Sequence, residues 1–192
     1  AMFPGYKVHA ITNGVHPYTW AAESFRQLYD HYTPGWCHEP QLLMRADCCI
    51  PETAIWEAHV LAKQILIDKV QTLTGVALKP DVPIFGFARR MTAYKRPDLL
   101  FSDIKRLQAV ARNYPFQIVF AGKAHPHDEN GKHLIEQLYT HARDLAGTIP
   151  VVYLPDYDLA LAQTLPAGVD VWLNTPLPPL AASGPSGMTA AF

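Results

Sequence analysis

The hydrophobic pattern of the chain changes character near residue 83. Before that point, apolar residues recur at helical spacing, most clearly over residues 52–73, where they return about every 3.6 positions. A shorter stretch over residues 18–31 has the same spacing, and the proline- and glycine-containing residues 33–51 are typical of a loop. The pattern therefore predicts a helical segment over residues 1–82.

After residue 83, short apolar runs alternate with amphipathic segments. The runs begin at Ile84, Phe116, Val151 and Val169. The amphipathic segments cover residues 97–113, 132–145 and 159–165. Short, continuous apolar runs are typical of buried parallel strands, and their alternation with helices favours right-handed crossover connections. Residues 83–192 are therefore predicted to form a partial Rossmann-like α/β domain, a parallel sheet with flanking helices.

Composition narrows the class of protein further. The 192 residues are 49% hydrophobic and 17% charged, which favours a globular chain and excludes a disordered or coiled-coil one. A net charge of -1 provides no global field for nucleic acid. No apolar run approaches the length of a membrane span, and the first residues lack the features of a signal peptide. Neither nucleic acid nor membrane is expected as a partner.

The cysteines, the histidines and the two ends add smaller expectations. Cys37, Cys48 and Cys49 lack a metal-binding spacing, which favours reduced thiols and a cytoplasmic protein. Two histidines in the run 124–128 would need two further ligands to hold zinc, so no metal site is predicted. Ala1-Met2 resembles a cloning remnant, and the chain stops inside an expected helix, so we expect a piece of a larger protein.

A cluster of basic residues gives the chain its candidate chemistry. Four cations follow the first predicted strand within eight positions, namely Arg89, Arg90, Lys95 and Arg96. Arginine and lysine bind phosphate well, and ligands of parallel sheets bind beyond the carboxyl ends of the strands. A second loop of small residues, 183–187, precedes an expected helix and could cradle a phosphate. The two loops predict a site for one or two phosphates; the alternatives are a solvated charged turn and a flexible turn.

Five sequence runs also carry a family resemblance. In chain order they are residues 11–20, 89–96, 121–126, 152–158 and 170–176. Together they resemble the second half of the α-glucan (glycogen and maltodextrin) phosphorylases, most closely the shorter bacterial and archaeal type. The resemblance implies a glycosyltransferase B-type fold, in which two Rossmann-like domains face a cleft. It also implies reversible cleavage of an α-1,4-glucan by inorganic phosphate to give glucose 1-phosphate, and a parent that is a homodimer.

The resemblance implies a cofactor as well. Members of the family use pyridoxal 5′-phosphate, whose phosphate exchanges a proton with the substrate phosphate. Arg90 is then implied to bind the substrate phosphate, whereas Arg89 and Lys95 hold the cofactor phosphate, so that Arg90 and Lys95 are the catalytic candidates. Near the cofactor the resemblance implies Trp20, Tyr157, Ser186 and position 189. Trp20 and Tyr157 could equally be core aromatics.

The implied glucose site consists of Asn13, Ser183 and Gly184, although Asn13 could simply belong to a turn. The sequence departs from the family pattern next to this site. Thr189 stands where the family has the Schiff-base lysine, and a threonine hydroxyl cannot replace that amine. Ala181 replaces a glutamate, and Pro185 replaces a threonine and removes a backbone N–H.

Each of these three replacements corresponds to one adenine-to-cytosine change, so a sequence artefact and a deliberate inactivation are both open readings. The sequence as written predicts an inactive fragment of an α-glucan phosphorylase. Two alternatives are a non-catalytic module that binds sugar phosphates or glucan, and a transferase similar to nucleotide-sugar-dependent glycogen synthase.

Overall fold

A computed structural model describes residues 5, 9, 11, 13–180 and 184–191. Its centre is a four-stranded parallel sheet, with strands β1 (Ile84–Ala88), β2 (Gln117–Ala121), β3 (Val151–Leu154) and β4 (Val171–Trp172). The strand order is β3-β2-β1-β4, and every neighbouring pair is parallel. The predicted α/β class, a parallel sheet flanked by helices, is confirmed.

Eight α-helices occur among the described residues. They are α1 (Pro17–Trp20), α2 (Glu23–Tyr32), α3 (Ala46–Cys49), α4 (Glu52–Thr74), α5 (Ile104–Asn113), α6 (Glu129–Leu145), α7 (Leu159–Gly168) and α8 (Pro185–Thr189). Short 3₁₀ helices cover Pro40–Arg45, Ala93–Lys95 and Leu99–Phe101. No described helix combines the length and the apolar character that crossing a membrane requires.

Each face of the sheet is covered by a pair of helices. On one face, buried residues of α4 and α7, such as Leu66 and Leu165, pack against Ile84 and Ala88 of β1. On the other face, Phe87 of the same strand packs with α5 and α6. Side chains of a strand alternate between faces, which is why the continuous apolar run 84–88 serves both cores.

The contact between α4 and α7 depends on a glycine. A β-carbon at Gly168 would lie 2.5 Å from Leu66 Cβ and 2.9 Å from the Ala62 carbonyl oxygen. Because such contacts are too short for real side chains, the absence of a side chain allows the two helices to approach closely. Helix α4 lies before residue 83 but shares the core of the sheet, so it positions that sheet directly.

A charged cluster joins the start of β4 to α4 and β1. The Asp170 carboxylate lies 2.8 Å from Lys63 Nζ and 3.0 Å from His59 Nε2, and it accepts the backbone N–H of Ile84 at 2.7 Å. Burial raises the pKa of Asp170, but hydrogen bonds from Lys63, Ile84 and His59 outweigh it and leave the pKa below its ordinary value. The charged form of the Asp170 carboxylate therefore connects the start of β4 to α4 and β1.

Several predicted boundaries were wrong, for identifiable reasons. The helix expected over 97–113 is a 3₁₀ turn followed by α5, because the Asp103 side chain caps a new helix by accepting the Arg106 N–H at 2.9 Å. Helix α6 begins three residues earlier than predicted, since Asp128 caps its first turn. Helix α7 continues through Pro166 to Gly168.

Three further expectations needed correction. The helical stretch 18–31 is divided into α1 and α2 by extended backbone at Ala21 and Ala22. The expected loop 33–51 contains a 3₁₀ helix and α3. Strand β4 begins at Val171, two residues after the predicted start at Val169, because its regular pairing with β1 covers only Phe85 and Gly86.

Candidate functional site

Loops that follow the strands meet at the carboxyl edge of the sheet. The N–H of Arg89 donates to the Ala121 carbonyl at 3.3 Å, and the N–H of Met91 donates to that of Lys123 at 3.1 Å. Between these contacts, Gly122 has φ 145°, and a β-carbon there would collide with the Arg89 carbonyl oxygen. The loops after β1 and β2 are therefore held together at the edge where ligands of parallel sheets bind.

Arg89 connects the loop after β1 to helix α8. Its side chain is buried, and both Nε, at 3.1 Å, and Nη2 donate to the Ser186 hydroxyl oxygen. Burial lowers the pKa of the guanidinium, with a smaller opposing effect of Tyr94, but arginine starts so far above neutral pH that it remains charged. Because Ser186 accepts both bonds, its own hydroxyl hydrogen is available for an anion.

The other three cations of the cluster differ in what they contact. Arg90 is exposed, and its guanidinium has no partner among the described residues. Lys95 is partly buried, with its ammonium 4.7 Å from the centre of the Tyr94 ring. Arg96 instead donates to the carbonyls of residues 175 and 176. Arg90 and Lys95 therefore keep donors for a ligand, whereas Arg96 directs two of its N–H groups to the backbone.

A cavity of about 220 Å³ lies beside Ser186. Aromatic side chains of Trp20, Tyr157 and Trp172 contribute to its wall. The remaining lining residues are Gly14, Val15, Ala162, Pro166, Pro185, Ser186 and Thr189. The volume is below the roughly 300–1,000 Å³ of sites for drug-sized ligands, and the aromatic wall suits one small planar ring.

Four residues of the predicted cofactor set thus share one cavity, namely Trp20, Tyr157, Ser186 and Thr189. Thr189 is buried, and its hydroxyl donates to the Ser186 carbonyl at 2.9 Å. A lysine at this position would start from a backbone that borders the cavity. The threonine that occupies it has no amine, so the covalent anchor implied by the family resemblance is missing.

The residues predicted for the glucose site are less well assembled. Asn13 is exposed and does not line the cavity, although its neighbour Gly14 does. Gly184 precedes α8, and a β-carbon there would lie 3.4 Å from both Arg89 Nη2 and Asn174 Nδ2. Ser183 and Ala181 lie outside the described residues.

Two participants were not predicted from the sequence. Trp172 lines the cavity, and its indole nitrogen is buried without a hydrogen-bond partner in the described part of the chain. Asn174 lies close to Gly184 and Gly187. Both follow from the position of β4, because they stand at or just beyond its carboxyl end, and the rule applied to the basic loop could have found them.

Among the described residues, no three histidine, cysteine or acidic side chains come together as a ligand set. The rings of His125 and His127 lie 5.5 Å apart between their centres.

The chain is an α/β protein whose basic residues and aromatic-lined cavity lie at the carboxyl edge of its sheet, and sequence comparison identifies its family. The model of the carbohydrate phosphorylases matches residues 1–192. The chain belongs to this family.

Three relatives match nearly the whole chain. It is 40% identical to a glycogen phosphorylase of Aquifex aeolicus over 95% of its residues, which is 30% of that protein. It is 36% identical to a maltodextrin phosphorylase of Thermococcus litoralis over 96% of its residues, and 34% identical to a glycogen phosphorylase of Mycobacterium tuberculosis over 96%. The chain spans only 24% of each of these two relatives.

Proposed function

We propose that this chain is part of the catalytic half of an α-glucan phosphorylase. The parent would cleave an α-1,4-glucan with inorganic phosphate and release glucose 1-phosphate. The observation that carries the proposal is the junction of Arg89 with Ser186, which brings one guanidinium of the basic cluster to a residue that lines the cavity. Relatives named glycogen and maltodextrin phosphorylases support the same substrate class.

Pyridoxal 5′-phosphate is the proposed cofactor. The residues present are suited to bind its ring and its phosphate without a covalent bond. Trp20 and Tyr157 would pack against the ring, in the cavity of about 220 Å³. Arg89, Lys95 and the Ser186 hydroxyl would hold its phosphate, because two cations and a hydroxyl are suitable donors. When bound, the cofactor phosphate would supply a proton donor and acceptor for the substrate phosphate.

The substrate phosphate would bind to Arg90. The free guanidinium of Arg90 offers paired donors to one phosphate. Lys95 and Arg89 lie on the same loop, and their charge would offset the repulsion between two phosphates held close together. Glucose would lie near Asn13, Ser183 and Gly184.

The chain as written is proposed to be inactive. Thr189 supplies no amine for the cofactor, and Ala181 and Pro185 each remove polar groups from the proposed ligand loop. A second candidate is a non-catalytic module that binds sugar phosphates, because the threonine at position 189 leaves the cavity without an amine for a covalent cofactor.

Titration with inorganic phosphate tests the anion site. We expect phosphate to slow amide hydrogen exchange in residues 89–96 and 184–187, and Arg90→Ala to weaken this protection. Arg112→Ala, at an exposed position on α5, is the matched control and should leave it intact. Identical exchange with and without saturating phosphate, in folded protein, would exclude the site.

Titration with glucose 1-phosphate and with pyridoxine 5′-phosphate separates the two candidate functions. If the chain is part of a phosphorylase, we expect pyridoxine 5′-phosphate to quench the fluorescence of the tryptophans that line the cavity. If it is instead a module that binds sugar phosphates, we expect the tryptophan fluorescence to change with glucose 1-phosphate alone.

A further inference from the structure

The loop after β1 is tied to the loop after β4 by reciprocal hydrogen bonds. Arg96 Nε donates to the Thr175 carbonyl at 2.8 Å, and Nη2 donates to the Pro176 carbonyl at 3.3 Å. In return, Thr175 Oγ1 lies 3.2 Å from the Lys95 carbonyl and 3.3 Å from that of Arg96. These contacts are called the Arg96–Thr175 clasp below.

A backbone bond extends the clasp by one residue on each side. The N–H of Leu177 donates to the Tyr94 carbonyl at 2.7 Å. The Tyr94 ring in turn lies beneath the Lys95 ammonium. The backbone of both residues is therefore fixed by the loop that leads from β4 towards α8.

The conformation of Arg96 shows that the clasp constrains the loop. Arg96 has φ 49° and ψ 59°, the left-handed region, in which residues other than glycine are uncommon. Such conformations persist where surrounding contacts determine them, and they cluster at ligand sites. The side-chain bonds of Arg96 and the hydroxyl of Thr175 are those contacts here.

We propose that Arg96 and Thr175 are positioning residues, and that the clasp fixes Tyr94 and Lys95 before an anion binds. The inference rests on the proposed function, which makes Lys95 a phosphate ligand. Arg96 is assigned a positioning role because its Nε and Nη2 each already donate to a carbonyl. Pre-organisation of this kind raises affinity by removing the entropy cost of ordering the loop when the ligand binds.

Thr175→Val is the central variant, because valine keeps the shape of threonine and loses the hydroxyl. We expect the affinity for inorganic phosphate to fall about three- to tenfold, the value of one ordinary hydrogen bond. Thr175→Ser retains the hydroxyl and should stay within about twofold of the wild type. Thr72→Val removes a similar hydroxyl from an exposed position on α4, where it donates to the Asp68 carbonyl, and should leave phosphate affinity unchanged.

Arg96→Lys separates position from charge. Lysine keeps the charge but cannot direct two bonds to two carbonyls as a guanidinium does. The clasp predicts a loss of phosphate affinity similar to that of Thr175→Val, with a melting temperature close to the wild type. An unchanged affinity in either Thr175→Val or Arg96→Lys would overturn the proposal, and so would a loss that Thr175→Ser does not rescue.

A second measurement keeps the clasp testable if the wild type shows no response to phosphate. That result would reject the proposed anion site. Amide hydrogen exchange in the unliganded protein would then test whether the clasp orders the loop. Faster exchange of the Leu177 amide in Thr175→Val, with α4 amides unchanged, would support it. Equal exchange in the two proteins would overturn it.

Discussion

Asp170→Asn should destabilise the protein more than the removal of any single exposed charge. The carboxylate bonds Lys63, His59 and the Ile84 N–H, and the side chains of Lys63 and Asp170 are only 7% and 17% exposed. Asparagine removes the charge and turns an N–H₂ group towards donors. Removing one partner of a buried ion pair costs about 3–5 kcal/mol. Lys63 would still donate to the Val82 carbonyl in the variant, so we expect a loss at the lower end of this range, about 3 kcal/mol.

The effect should depend on pH in a defined direction. Because the folded protein lowers the pKa of Asp170, its contribution is complete above the ordinary carboxyl pKa, about 3.9. The contribution is lost as the pH falls through the lowered, folded-state pKa. The difference between wild type and Asp170→Asn should therefore be widest near neutral pH and narrow in acid.

Urea unfolding monitored by circular dichroism at several pH values measures this difference. Glu129→Gln is the matched control, because it removes a carboxylate that contacts Lys132 at 2.6 Å in an exposed pair. Such pairs contribute about 0–1 kcal/mol. A loss in Asp170→Asn no larger than that of Glu129→Gln, or one that persists unchanged in strong acid, would refute the reasoning.

Two other substitutions test the packing that positions the site. Gly122→Ala should lower the free energy of unfolding by about 2–5 kcal/mol, because it combines a positive φ with a backbone collision. Gly147→Ala is the control: no atom lies near its β-carbon, so it should cost less than about 1 kcal/mol. Equal midpoints of urea unfolding for the two variants would contradict this prediction. Tyr153→Phe should cost about 1 kcal/mol, since the phenol donates to the Gly122 carbonyl at 2.8 Å. Burial, with a smaller contribution from Tyr139, raises the pKa of Tyr153 to about 12, and a spectroscopic titration of the wild type should find that value.

The sequence predicted the sheet well because each strand is a continuous apolar run between helices. Phe87 and Ala88 serve opposite faces of one strand, so the run needs no alternation to identify it. Helix boundaries were harder, since they depend on single capping contacts. Asp103 and Asp128 both cap helices, but nothing in the hydrophobic pattern distinguishes them from other exposed acids.

The candidate site was predicted in part. The resemblance identified Trp20, Tyr157, Ser186 and Thr189, which line one cavity although they are far apart in sequence. The role of Arg96 could not be predicted, because it depends on two carbonyls about eighty residues away. A basic cluster in a sequence does not show which of its members bind the backbone.

Reductive labelling with pyridoxal 5′-phosphate tests the central claim most directly, namely that this is a phosphorylase cavity that lacks its covalent anchor. Wild type and Thr189→Lys are each mixed with the compound, reduced with borohydride and mapped by mass spectrometry. The account predicts no adduct at residue 189 in the wild type and near-stoichiometric labelling there in Thr189→Lys, above that of the other lysines. A folded Thr189→Lys protein that is labelled at residue 189 no more than at exposed Lys132 would contradict it.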